Sequence, residues 1–266
     1  GVTTAMGDHD LTVTGTTTID GTLDVAGSTL TMAGAGDVNG TITVVAGTVD
    51  ANGTFDATGG NVTFTGAGSL NLAGVVTSLG TLTDAANGTV TYDNGGAQNI
   101  VADDYVNLIV GGGAGTKTLA GAVVVAGAFT TDALVTTAMA GNNLTVAGAT
   151  TILGTVTMTT ATLDANGAFD ATGGTIDING LGNLMLASTV THLGTLSIDF
   201  GKVTYDGTAQ TIFADTYYDL TVATGNTKTL GGAIVIVRDL TIDAGVTLDV
   251  SGSDYSINVA RHFING

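Results

Sequence analysis

Along most of the chain, four or five residues alternate between apolar and hydroxyl-bearing side chains and then stop at Gly, Asn or Asp. Leu11-Thr12-Val13-Thr14-Gly15, Leu30-Thr31-Met32-Ala33-Gly34, Val62-Thr63-Phe64-Thr65-Gly66 and Leu144-Thr145-Val146-Ala147-Gly148 follow this rule. Alternation with period two puts Leu, Val, Met and Phe on one face of an extended segment and Thr on the other. Gly, Asn and Asp supply the corners, because they tolerate backbone conformations that other side chains resist. Short one-faced strands joined by tight corners predict an all-β, right-handed parallel β-helix with rungs about 4.8 Å apart. A β-sandwich would need longer hairpin strands and fewer glycines.

A longer period lies over this one. Asp50-Ala51-Asn52-Gly53-Thr54-Phe55-Asp56 returns as Asp164-Ala165-Asn166-Gly167-Ala168-Phe169-Asp170, and Val90-Thr91-Tyr92-Asp93 as Val203-Thr204-Tyr205-Asp206. Ala97-Gln98, Tyr105 and Lys117-Thr118-Leu119 return as Ala209-Gln210, Tyr217 and Lys228-Thr229-Leu230. Partners stand 133 residues apart at Leu11 and Leu144 but 114 apart at Asp50 and Asp164. The difference is one rung of about 20 residues, which a stacked fold can lose and a closed barrel cannot. The chain therefore reads as module 1 over 1–133, module 2 over 134–245 and the start of a third repeat over 246–266, continuous as one solenoid. No capping segment is visible at either end. Uncapped solenoid ends predict a longer repetitive chain or copies stacked head to tail, and both lead to a fibre.

Tyr205-Asp206-Gly207-Thr208-Ala209-Gln210-Thr211-Ile212, Tyr217-Tyr218-Asp219-Leu220-Thr221-Val222, Lys228-Thr229-Leu230 and Leu240-Thr241-Ile242 resemble the repeats of secreted bacterial surface proteins of the haemagglutinin-like and adhesin-like kind. That resemblance implies a β-helix, an extracellular or cell-surface location and a role in adhesion, matrix or fibres. It carries over no catalytic residue.

Composition narrows the partners. All 23 acidic residues are Asp, the basic ones number five, and the net charge is −18. Such a chain offers no basic patch to nucleic acid or anionic membranes. No apolar run reaches the roughly 18 residues of a membrane helix. The 42 glycines and the absence of Pro, Cys and Trp fit a strand-and-corner protein with no disulfide framework.

Candidate chemistry is sparse. Asp50, Asn52 and Asp56, repeated as Asp164, Asn166 and Asp170, place oxygen atoms around a Gly corner in the manner of a Ca²⁺ loop. The same residues are explained by an Asn-Gly corner whose Asp side chains accept turn hydrogen bonds. Lys117 and Lys228 hold matched positions and read as solvated corners or edge protection. His192 faces Ser78 in the comparison of repeats, and His9 faces Asn142, so neither is common to both copies. Tyr92, Tyr205, Phe55 and Phe169 are expected in the core or at corners. Thr-X-Thr pairs such as Thr41-Ile42-Thr43 and Thr81-Leu82-Thr83 suggest an ice-binding ladder, but their irregular spacing predicts a broken array. The expectation is a non-enzymatic, extracellular structural protein whose partners are its own copies or repeats, and surface glycans. The alternatives are a β-helix polysaccharide lyase or hydrolase and an ice-binding solenoid.

Overall fold

The computed structural model describes residues 1–85, 87–250, 252 and 254–266, with residues 197 and 198 as backbone only. Within the expected third repeat, Ser251 and Ser253 thus lie outside the described residues. The described residues form an all-β parallel solenoid of about 20 residues per rung, without an α-helix. Among the described residues no helix is long and apolar enough to cross a membrane. The chain divides into two compact units, Gly1–Gly127 and Ala128–Gly266.

In the first unit each rung contributes strands to three ladders. One runs through Thr3–Ala5, Thr22–Ala26, Thr41–Val44, Asn61–Phe64 and Thr81–Asp84. A second runs through Leu11–Val13, Thr29–Met32, Thr48–Ala51, Ser69–Leu72, Thr89–Tyr92 and Asn107–Val110. The third holds Thr17–Ile19, Gly36–Val38, Phe55–Asp56 and Val76–Ser78. Every pairing in them is parallel. Alternation decides what each ladder buries. Leu30, Val49, Leu70, Val90 and Leu108 stack in register, as do Met32, Ala51, Leu72, Tyr92 and Val110, all at 2% exposure or less. Each fully buried aliphatic or aromatic side chain in such a column stabilises the fold by roughly 1.5–3 kcal/mol.

The second unit repeats the plan. Thr162–Ala165, Asn183–Leu186, Lys202–Tyr205, Asp219–Val222, Asp239–Ile242 and His262–Asn265 form one ladder. Val135–Ala138, Thr155–Met158, Thr175–Ile178 and Thr195–Ile198 form another. Phe129–Thr131, Thr150–Ile152, Phe169–Asp170 and Val190–His192 form a third.

Corner glycines are fixed by close approach of successive rungs. A Cβ on Gly53 would lie 2.2 Å from the carbonyl oxygen of Gly34, and one on Gly74 would lie 1.8 Å from that of Gly53. The outward Thr pairs are better ordered than their spacing predicts. Thr41, Asn61 and Thr81 share one column, and Thr43, Thr63 and Thr83 share the next, because corners absorb the differences in length.

Candidate functional site

One rung boundary in each unit departs from this plan. Val76–Ser78 is the last strand of its sheet, and Gln98–Ile100 begins a different one. Between them, among the described residues, only Thr89–Tyr92 carries its ladder onward, to Asn107–Val110. In the second unit Val190–His192 and Gln210–Ile212 stand in the same relation, while Lys202–Tyr205 continues to Asp219–Val222. Backbone groups left at such breaks must find partners if they are buried.

The repeated side chains supply them at Gly74 and Ser188, and add a second bond at Leu72 and Leu186, whose carbonyls already accept the N–H groups of Asp93 and Asp206 at 3.1 Å. Gln98 Nε2 donates to the carbonyls of Leu72 at 2.7 Å and Gly74 at 2.8 Å, while its Oε1 accepts the Asn94 N–H at 3.3 Å. Gln210 does the same for Leu186 at 2.8 Å and Ser188 at 2.6 Å, and accepts the Gly207 N–H at 3.1 Å. The tyrosines close a second loop of bonds. The Val101 N–H donates to the Tyr92 hydroxyl at 3.1 Å, and the Tyr105 hydroxyl donates to Val101 O at 2.7 Å. With that proton spent, Tyr92 is the donor in its 3.0 Å bond with Tyr105. Tyr205, Tyr217 and Phe213 reproduce the loop at 3.1, 2.5 and 3.1 Å. Both tyrosine pairs meet edge to face, with centroids 6.4 and 6.3 Å apart. Burial pushes the Tyr92 and Tyr205 hydroxyls up to about 12 and those of Tyr105 and Tyr217 higher still.

The lysines overturn the solvated-corner expectation. Lys117 and Lys228 are fully buried. Lys117 Nζ donates to Asn94 O at 2.5 Å and Gly96 O at 2.6 Å. Lys228 Nζ donates to Thr224 O at 2.9 Å, Thr208 O at 3.3 Å and Gly225 O at 3.4 Å. Lys117 gathers two carbonyls of one tight loop, and Lys228 gathers carbonyls from two loops on successive rungs. Burial lowers both amine pKa values, and the carboxylates of Asp93 and Asp206 oppose that shift. Asp93 Oδ1 and Asp206 Oδ1 are buried without a hydrogen-bond partner among the described residues. Burial, then the charges of Asp50 and Asp164, raise the pKa values of these two carboxyl groups.

The Asp-Asn loops are placed as follows. Asp50 lies on Thr48–Ala51, where its Oδ2 accepts from Asn52 Nδ2 at 2.9 Å. Asp56 lies on Phe55–Asp56, a strand of another ladder, and accepts from the Thr58 N–H at 2.9 Å and the Thr58 hydroxyl at 2.6 Å. Asp164 lies on Thr162–Ala165, followed by Asn166 at the corner. Asp170 binds Thr172 at 2.9 and 2.7 Å. The Thr58 and Thr172 bonds lower the pKa values of Asp56 and Asp170. Among the described residues no group of three or more His or Asp side chains is set to hold a metal ion.

A charged column completes the inventory. Arg238 binds Asp219 through both Nη2 at 2.7 Å and Nε at 2.9 Å, reaches Asp239 at 3.1 Å, and lies 5.1 Å from the Tyr218 ring centroid. His262 meets Asp239 at 2.7 Å. A comparison with protein-family models, curated proteins and solved structures finds no match in any of the three.

The carboxyl shifts make a solution prediction. Burial raises Asp93, Asp103, Asp206 and Asp215. A raised folded-state pKa means the folded chain binds protons more readily than the unfolded chain. Stability therefore rises as pH falls from neutrality toward the ordinary carboxylate value. The lowered groups, Asp56, Asp170 and Asp239, act only below that value. Scanning calorimetry at about pH 5 is expected to give a Tm roughly 2–5 °C above that at about pH 7. An equal or lower Tm at the acid pH would contradict the assignment.

Proposed function

We propose that this chain is a structural segment of an extracellular fibre or adhesin stalk, displayed at a cell surface and not an enzyme. The observation that carries the reading is the use made of the chain's reactive side chains. Lys117, Lys228, the tyrosine pairs and the two glutamines are matched between copies and bond to backbone carbonyls or N–H groups, or to one another. Side chains that could do chemistry thus serve as struts of the ladder. The resemblance of the Tyr-Asp, Ala-Gln and Lys-Thr-Leu runs to adhesin-like surface repeats supports the location. Solenoids present strand edges that copies can extend head to tail. Negative-stain electron microscopy of the purified chain, with and without EDTA, is the test. Uniform filaments are expected. Filaments lost on EDTA treatment would add Ca²⁺ to the assembly, and isolated particles at all concentrations would overturn self-assembly.

A further inference from the structure

The second unit has an open groove where its ladder breaks, and we infer that this groove binds a neutral oligosaccharide. It encloses about 610 Å³ between Val190–His192 and Gln210–Ile212. Six hydroxyl-bearing residues line it, Ser188, Thr189, Thr208, Thr211, Thr227 and Thr229, and among the described residues no charged residue does. Gln210, at its floor, already has its amide engaged by Leu186, Ser188 and Gly207, so recognition falls to the hydroxyls. Thr211 and Thr229 are register partners with oxygens 3.4 Å apart, both exposed, so each can still donate to or accept from a ligand.

The sister copy supplies an internal control. Its groove lies at the matched position but encloses about 220 Å³. Where the second unit has Ser188, Thr189 and Thr211, the first has Gly74, Val75 and Asn99. Two residues beyond Val190 and Thr211 stand His192 and Phe213, against Ser78 and Val101 in the sister. Their rings meet at a tilt of 55° with centroids 5.0 Å apart. Thr208 likewise stands where the sister has Gly96, so the four differences that add a hydroxyl line the groove, and the two that add a ring, His192 and Phe213, stand two residues beyond its lining residues Val190 and Thr211. Hydroxyls that donate and accept, threonine methyls and a flanking ring pair are what a sugar's hydroxyl edge and C–H face require. The net charge of −18 disfavours an acidic polymer in the same groove.

The inference does not depend on the fibre reading. Its test is titration calorimetry of the full chain with maltohexaose, cellohexaose, mannohexaose and chitohexaose, with oligogalacturonate as the acidic comparison. At least one neutral probe is expected to bind. The double variant Thr189→Val, Phe213→Val is expected to weaken it at least about tenfold. Both changes install the residue the sister copy carries, so the fold should persist; Thr211→Asn, chosen the same way, is the second variant. No binding by any neutral probe at millimolar concentration overturns the inference. So does binding that all three substitutions leave unchanged, preference for oligogalacturonate, or displacement of a bound probe by an extended Thr-rich peptide.

Discussion

Methionine in place of Lys117 is expected to destabilise the first unit by about 3 kcal/mol. The methionine side chain fills much of the same volume, so the loss is polar in origin. The Asn94 and Gly96 carbonyls, bonded at 2.5 and 2.6 Å, would lose their donor inside the protein. Asp93, whose Oδ1 is already without a partner, would also lose its counter-charge. Buried ions contribute little net stability as pairs but cost several kcal/mol when one member is left alone. Asp93→Asn in the Lys117→Met background should therefore recover part of the loss, although the carbonyls stay unserved. Hydrogen exchange resolved to residues 89–119 is the measurement, with the matched segment 202–230 as the control inside the same chain. Protection lost in the first segment and kept in the second is the expected pattern. A change below about 0.5 kcal/mol would mean that water replaces the amine without penalty.

The same lysine shows what could be read from the chain and what could not. The inward columns followed from period-two alternation, because every inward slip would expose a whole apolar face, and rung length followed from the 19-residue difference between the offsets of the repeat. Lys117 obeys that alternation too: it stands two residues before Leu119, on the inward phase, as Lys228 does before Leu230. The signal for burial was present in the phase. It was overridden by the expectation that an amine belongs in water, which fails when loop carbonyls converge on it. Gln98, two residues before buried Ile100, stands on the same inward phase. The ladder breaks were not legible, since no strand pattern marks where pairing stops. Nor was the groove, which arises from side chains on three successive rungs. The Asp-Asn loops illustrate the opposite difficulty. Their spacing suits a metal or a turn equally, and the observed partners of Asp56 and Asp170 are threonines two residues on.

Alanine at Phe55 is expected to cost about 3–5 kcal/mol, and the matched change at Phe169 should lie higher in that range. Both rings are buried, at 0% and 1% exposure, and both begin strands of two residues. Their neighbours along the ladder differ. Phe55 sits in register with Gly36 and Val76, and Phe169 with Thr150 and Val190. A Cβ on Gly36 would lie 3.1 Å from the Met32 sulfur and 3.6 Å from the Phe55 ring, so Met32 already packs over the glycine beside that ring. An unbranched thioether can move into part of the space a deleted ring leaves, which limits the cavity. Beside Phe169 stands Thr150, buried at 1% exposure with a hydroxyl that has no partner among the described residues. It is branched at Cβ, held in the strand and unable to extend, so the cavity there should persist. Urea unfolding of the two single variants, read by circular dichroism, measures the difference. Because each rung of a solenoid packs chiefly on its neighbours, both losses should be felt first in the unit that carries the change. A smaller loss for Phe169→Ala than for Phe55→Ala would show that the relaxation comes from the backbone corners and not from Met32.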